Sequence, residues 1–451
     1  MIRHSYRRFA IVAVAALSSA GAAQQAAPDS TVHLSLVQAV RLAATQNASV
    51  EGARARVDAA RAIVTQRRAD LLPNVSAALV ERGSTTNSAT FPIEFPTPAG
   101  GTPLFDRNGA ILGPVNTFDA RAHVSQPLFD PRARARIETA RIGVDLASVN
   151  ARGVADQVAV VTANAYLAIL RADAVYDARL ADSTLAAELL VIAQDQLRAG
   201  TGIALDVTRA RSQLTGARSQ LIVARNERER TRVDLTGILG MPPGSVEPTD
   251  ALATLPSAPP IEEAAAREIA KTNRKDLQVL DLQARVARQE ASAIRTERLP
   301  TIGVFASEGL SQRNGRSYLP TYDWGLQLSL PVFDGFRRQG RVAEQDALAR
   351  DFDIRSRDLR YVIEGDVRNA MLNVRSASEV AGAARERLAL AEQEVSQARE
   401  RFQAGVAGNA DVITASLTLN GARTQLVDAL MSYQGARIAL ARAQGSIAAL
   451  E

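Results

Sequence analysis

Side chains able to do chemistry are few and scattered in this sequence of 451 residues, which has no Cys and three His (His4, His33 and His123). Without Cys there are no thiol nucleophiles, thiolate metal sites, iron–sulfur ligands or disulfides. The histidines are too far apart in sequence to suggest a metal or catalytic centre. No phosphate-binding loop, His-Glu-x-x-His helix or nucleophile elbow occurs. Carboxylates are plentiful, but they stand among Arg residues on helix-favouring runs, where solvation and i,i+4 pairing account for them. Two acids are set apart by position. Asp206 and Asp411 each follow a glycine-containing turn, each precedes a Val, and each opens a new helical run. A carboxylate there caps the helix or complements its N-terminal dipole. The sequence thus carries no enzyme, cofactor or metal signature, and the elements around these residues must explain what the chain does.

Composition narrows the class. Apolar residues make up 46% and aromatics 4%, with many Ala, which suits close helix packing better than a bulky globular core. Residues 1–23 have the build of an export signal: Arg3, Arg7 and Arg8, an apolar run from Phe9 to Leu17, then small residues to Ala23. That run is far shorter than the ~20 residues needed to span a membrane. Removing the signal lowers the net charge from +5 to about +2, which gives no support for a nucleic-acid partner. No lipid-modified Cys is available as an anchor.

Internal repetition gives the organisation. Leu197-Arg198-Ala199-Gly200 returns as Phe402-Gln403-Ala404-Gly405, and Asp206-Val207 as Asp411-Val412, both 205 residues later. Gln126-Pro127-Leu128-Phe129-Asp130 returns as Leu330-Pro331-Val332-Phe333-Asp334, and Leu72-Pro73 as Leu299-Pro300. The chain is read as a tandem duplication, residues 24–250 and 251–451. Each repeat runs helix, strand, loop, strand, very long helix, turn, helix.

The strands alternate. In 118–129 Phe118, Ala120, Ala122, Val124 and Leu128 are apolar, while Asp119, Arg121, His123 and Ser125 are polar. In 322–332 Tyr322, Trp324, Leu326, Leu328, Leu330 and Val332 alternate with Asp323, Gly325, Gln327 and Ser329. Such strands suit a membrane barrel and a soluble sandwich equally. Only four strands occur in a long exported chain, too few for a sandwich core. Four cannot close a membrane barrel either, so several chains would have to share one, and three would give twelve strands with a usable bore. From Pro131 to about Arg198 and from Gly335 to about Gln403 no Pro interrupts the helical run, about 100 Å each. A heptad row of Ile137, Val144, Ala151, Val158, Ala165 and Ala172 recurs as Val342, Ala349, Ser356, Ile363, Ala370 and Ala377. Small residues in such a seam let supercoiled helices approach closely.

With these residues in place, the chain resembles the TolC-like outer membrane efflux proteins from about Leu34 to Ile447. The resemblance rests on the opening helix from Leu34, the Leu-Pro signals at Pro73 and Pro300, Gln126 to Asp130, the turns before Asp206 and Asp411, and Leu239-Gly240. It implies a mainly α chain with a membrane β-barrel: a homotrimer whose twelve-stranded barrel continues into a twelve-helix periplasmic tunnel. The partners it implies are a periplasmic adaptor, an inner-membrane pump of resistance–nodulation or ABC type, and outer-membrane lipid. The export of small molecules is the function implied. Protein secretion through the same fold is one alternative, and a secreted coiled-coil structural protein is another.

The resemblance also places residues. It puts Asp411 at the closed periplasmic entrance, with Asp206 its equivalent and Phe402 nearby. The adaptor-contact tips are Gly200, Thr201, Gly202 and Ile203, and Gly405, Val406, Ala407 and Gly408. Relatives that lock the entrance with a tyrosine–arginine network have Phe402 and Ala407 in its place here, and Thr414 stands where a second acid is common. Entrance closure is therefore expected to be looser or differently built. Tyr318, Tyr322 and Trp324 are expected at the membrane interface, and 83–117 and 308–321 as cell-surface loops.

Overall fold

A computed structural model describes residues 32–90, 109–253, 262–404, 406 and 408–445. The expected signal segment and two tip residues, Gly405 and Ala407, lie outside the described residues. The elements in chain order are β1 (Val32–Leu34), α1 (Leu36–Gln46), α2 (Ala48–Ala69), β2 (Asn74–Asn87), β3 (Ile111–Phe129), α3 (Pro131–Arg198) and α4 (Ala204–Leu239). There follow β4 (Val246–Pro248), α5 (Glu263–Asn273), α6 (Lys275–Thr296), β5 (Thr301–Arg313), β6 (Leu319–Ser329), α7 (Arg337–Gln403) and α8 (Asn409–Ala443). The series α1 to α4 with its two strands recurs as α5 to α8 with two more.

The strand-to-helix junctions follow from local chemistry. Asp130 caps α3 by accepting hydrogen bonds from the backbone N–H of Arg132 (2.9 Å) and Ala133 (3.0 Å), and Pro131 needs no partner at the first position. In the second repeat the helix starts later than the sequence suggests, at Arg337. Gly335 and Phe336 adopt left-handed conformations (φ 67° and 64°) that turn the chain first. There Asp334 accepts from Arg338 Nε at 2.6 Å, and this guanidinium holds its carboxyl below the usual carboxylate range.

The heptad seam is packed most fully in α7, where Ala349, Ser356, Ile363 and Ala370 are buried seven residues apart, and Ser356 donates to Asp281 of α6 at 2.8 Å. In the matching row of α3, Ile137 and Ala172 are buried and Val144, Ala151, Val158 and Ala165 are half-buried. One window of α3 is apolar enough to cross a membrane by composition, but half of it is buried. Tyr166, Leu167, Ile169 and Leu170 of this helix belong to the main core with α1, α4 and α8.

Sequence reading treated the start of each repeat as one helix, whereas each is two. Asn47 ends α1 in extended backbone and caps α2 through its side chain, and Arg274 breaks α5 from α6. A parallel pairing of β1 with β4 was also missed, since three residues are too few to show a period. It ties the two ends of the first repeat. The Leu36 N–H donates to Asp250 Oδ2 across 214 positions, and the Tyr166 hydroxyl lies 2.8 Å from both that oxygen and the Leu34 carbonyl oxygen. Burial and the Asp250 carboxylate push the Tyr166 phenol well above its ordinary value. At the close of the second repeat Gly445 (φ 65°) lies so near the α5–α6 break that a Cβ would come 2.9 Å from the Asn273 carbonyl carbon.

The other four strands form one antiparallel sheet in the order β2-β3-β5-β6. Direct Cα partners share a face. One face carries Val75, Val124, Ala306 and Trp324 in one row and Leu79, Ala120 and Leu310 in another. Val75, Leu79, Trp324 and Leu326 are 67–78% exposed there. The opposite face carries Ser76, His123, Ser307 and Asp323 in register. The strands run further into polar sequence than expected. β2 continues to Asn87 and β3 begins at Ile111, so both ends of 83–117 are strand while 91–108 lies outside the described residues, and of 308–321 only 314–318 lies between strands. Ladder hydrogen bonds form whatever the side chains, so the polar composition gave no stop signal. The last strand also ends at Ser329, short of Leu330 and Val332, because Pro331 lacks a donor and Ser329 already faces the first residue of β5.

Candidate functional site

The two hairpin tips are built alike. At the end of α3 Gly200 turns left-handed (φ 75°), and the Thr201 and Gly202 amides donate to the Gln196 carbonyl at 3.0 Å each. Gly202 is required by space, since a Cβ would come 2.9 Å from Cβ of Gln196. The same bond recurs 205 residues later, from Val406 N–H to Arg401 O at 3.0 Å. Ile203 and Val406 are 57% and 73% exposed at these tips, and Leu205 is half exposed. Neither Asp206 nor Asp411 is an N-cap. The caps are Ile203 and Gly408, without side-chain bonds, and both acids sit in the first turn. Asp411 is exposed, whereas Asp206 is half-buried with its carboxylate 3.9 Å from Arg209.

Phe402 is placed differently from the entrance position the resemblance suggests. It is 2% exposed, enclosed by Leu189 and Ala193 of α3, Ala210 of α4 and Val412 of α8. Its ring packs the two hairpins together and does not face water.

Polar ties between the hairpins extend from this core along the helices. At the tip, Asn409 Nδ2 donates to the Asp206 carbonyl (3.0 Å), and Gln196 Nε2 donates to the Phe402 carbonyl (2.8 Å). Higher up, Arg399 of α7 pairs with Glu188 of α3 at 3.0 Å, and Arg171 of α3 with Asp428 of α8 at 2.7 Å. Between them lies Asp182, whose side chain is 2% exposed. It accepts from Arg423 Nη1 of α8 at 2.7 Å and from Arg179 Nη1 at 3.2 Å, and Arg179 also donates to the Thr424 hydroxyl at 3.1 Å. With its amide nitrogen turned toward the carboxylate, Asn420 adds another donor at 3.0 Å. Sequence reasoning missed this node because its partners are 241 residues apart.

The sheet carries the other candidate residues. Tyr322 and Trp324 project from the apolar face, 80% and 78% exposed, and Tyr318 meets Phe118 edge-on at 5.8 Å. On the polar face Arg121 spans three strands. It donates to Ser307 of β5 at 3.1 Å, and to Asp323 (3.2 Å) and Thr321 (3.0 Å) of β6. Strand alternation does reveal that face, but not the bracing across it.

This chain matches the family described as outer membrane efflux protein over residues 39–241 and 266–446. The alkaline protease secretion protein AprF of Pseudomonas aeruginosa is 24% identical over 331 residues, covering 70% of this chain and 67% of AprF. Among solved structures, the outer membrane protein VceC of Vibrio cholerae superposes with TM-score 0.70 and 17% identity, covering 91% of this chain and 96% of VceC. The open state of the MtrE outer membrane channel of Neisseria gonorrhoeae gives TM-score 0.70 and 17% identity, covering 91% and 88%. The mostly helical fold with a small sheet is that of these channels.

Proposed function

The chain belongs to the outer membrane efflux protein family, and from that premise we propose that it is the outer-membrane channel of an exporter for small molecules. The observation that carries the reading is the sheet, with one apolar face, one polar face and two edges, β2 and β6, each paired on one side only. An open edge is forbidden in lipid, so β6 of one copy pairs with β2 of the next, and three copies close twelve strands. The apolar face then meets lipid with Tyr318, Tyr322 and Trp324 toward the interface, and the polar face lines the bore. The hairpins α3–α4 and α7–α8 continue as the tunnel, and their tips carry the exposed Ile203, Leu205 and Val406 that a periplasmic adaptor would cover. An inner-membrane pump of resistance–nodulation or ABC type supplies energy and selects the cargo. The likeness to AprF favours a second reading in which the cargo is a secreted polypeptide.

Two experiments test this. Material extracted from outer membranes should run as a heat-resistant species of three chains, whereas a monodisperse monomer stable without detergent would sink the reading. Single cysteines at Asn87 and Gly315, at or beside the strand connections, should react with an impermeant maleimide on intact cells. Labelling only after the outer membrane is breached would invert the topology.

A further inference from the structure

We propose that a cleft at the junction of sheet and tunnel binds planar aromatic anions on their way through the channel. The proposal rests on the channel reading, because it needs the polar sheet face to line the bore. The cleft measures about 580 Å³, the size of a site for one small molecule. Its floor is the polar face. Ser125 lies opposite Phe305, and Phe305 opposite Gly325; in the next row Pro127, Gly303 and Gln327 are opposite one another.

Two glycines shape that floor. A Cβ on Gly325 would come 2.8 Å from the Phe305 ring, so the ring lies where only glycine leaves room. Gly303 leaves the middle of the next row, between Pro127 and Gln327, without a side chain. The Phe305 ring stacks against His123, with centroids 6.4 Å apart and planes at 25°. Two flat side chains thus stand near-parallel on a polar wall, where a planar ring can stack.

The first turn of α3 supplies the opposite wall and its charge. Arg132 lines the cleft, and among the described residues its guanidinium has no hydrogen-bond or ion-pair partner, its Nε being buried and unsatisfied. The adjacent Asp130 uses its carboxylate on backbone amides, and the next cation, Arg136, is already held by Asp70 at 3.5 Å. An unpaired guanidinium beside a stacking surface selects a carboxylate or sulfonate on an aromatic ring. Gln327 and Ser125 add polar side chains to the lining.

The probe is 2-naphthoate, added to trimers in planar bilayers. It should block the open current, and cyclohexanecarboxylate should block about fivefold less well, since it cannot stack. Arg132→Gln should weaken the naphthoate block by at least about tenfold, and Phe305→Leu should erase the preference for the flat acid. Gly303→Leu, which fills the floor and keeps both recognition residues, should also relieve the block. Absence of any ionic current in the unmodified protein would remove the channel reading itself. Full current with no block by naphthoate, or block indifferent to Arg132→Gln and Phe305→Leu, would overturn the binding site and leave the channel standing.

Discussion

Asp182→Ala should lower the stability of the hairpin assembly by about 3 kcal/mol, because it leaves two guanidinium groups facing each other without a counter-charge. The carboxylate is buried, but Arg179 and Arg423 are about a fifth exposed, so solvent relieves part of the cost and the lower end of the usual range applies. The midpoint of heat or guanidinium dissociation of the trimer reports it. Asp428→Ala, which removes an ion pair exposed on both sides, should change the midpoint by well under about 1 kcal/mol. Asp182→Asn keeps the hydrogen-bonding shape and should fall between the two. The tie also holds α3 to α8, so Asp182→Ala should raise the resting conductance of closed channels. Equal midpoints for Asp182→Ala and Asp428→Ala would reduce Asp182 to an ordinary surface acid.

Asp411→Arg should move the channel from cation toward anion preference. The exposed acid stands in the first turn of α8, and in the proposed trimer three copies would form a ring at the narrow end. The substitution changes each copy by two charges. At roughly 6 Å in water each copy shifts a permeant ion's energy by about 1.4 kcal/mol and three copies by about 4 kcal/mol; salt screening removes roughly half of that, which leaves at least about a factor of 10 in relative permeability. The reversal potential in a salt gradient measures it. Asp411→Asn should give about half the free-energy change. Asp206 is half-buried beside Arg209, so Asp206→Asn should do less still. An unchanged reversal potential for both Asp411 variants on assembled trimers would confine Asp411 to the helix dipole.

Much of this was legible because it is periodic. The tandem repeat, the alternating strands from Phe118 and Tyr322, and the spacing of Ala349, Ser356, Ile363 and Ala370 all record local geometry in the sequence. Element ends were less legible. Gly83 and Ser84 look like loop residues, yet they pair with Asn116 and Val115, because the ladder is built from backbone and depends on the partner strand. The least legible features join distant residues. Phe402 could be recognised as standing where relatives have tyrosine, but its enclosure by α3, α4 and α8 depends on how two hairpins meet. The same holds for Asp182 with Arg423 and for Phe305 over Gly325. The missing tyrosine–arginine network suggested a looser or differently built entrance. What the protomer shows is a set of ties between its own two hairpins, from Asn409 at the tip to Arg171 well above it.

The meeting of each repeat's ends bears on how such a chain could arise. The first repeat is closed by β1 on β4 and by Asp250 holding Leu36, and the second brings Gly445 back to Asn273. A unit whose start and finish are neighbours can be copied head to tail without sending the chain across its own fold, and a short join suffices. A ring of six single units and a ring of three doubled ones are then nearly the same object. Doubling the gene frees the two halves to diverge, so that one hairpin can carry Arg209 beside its acid while the other leaves Asp411 bare. Functional asymmetry between the two hairpins becomes available to mutation only after that fusion.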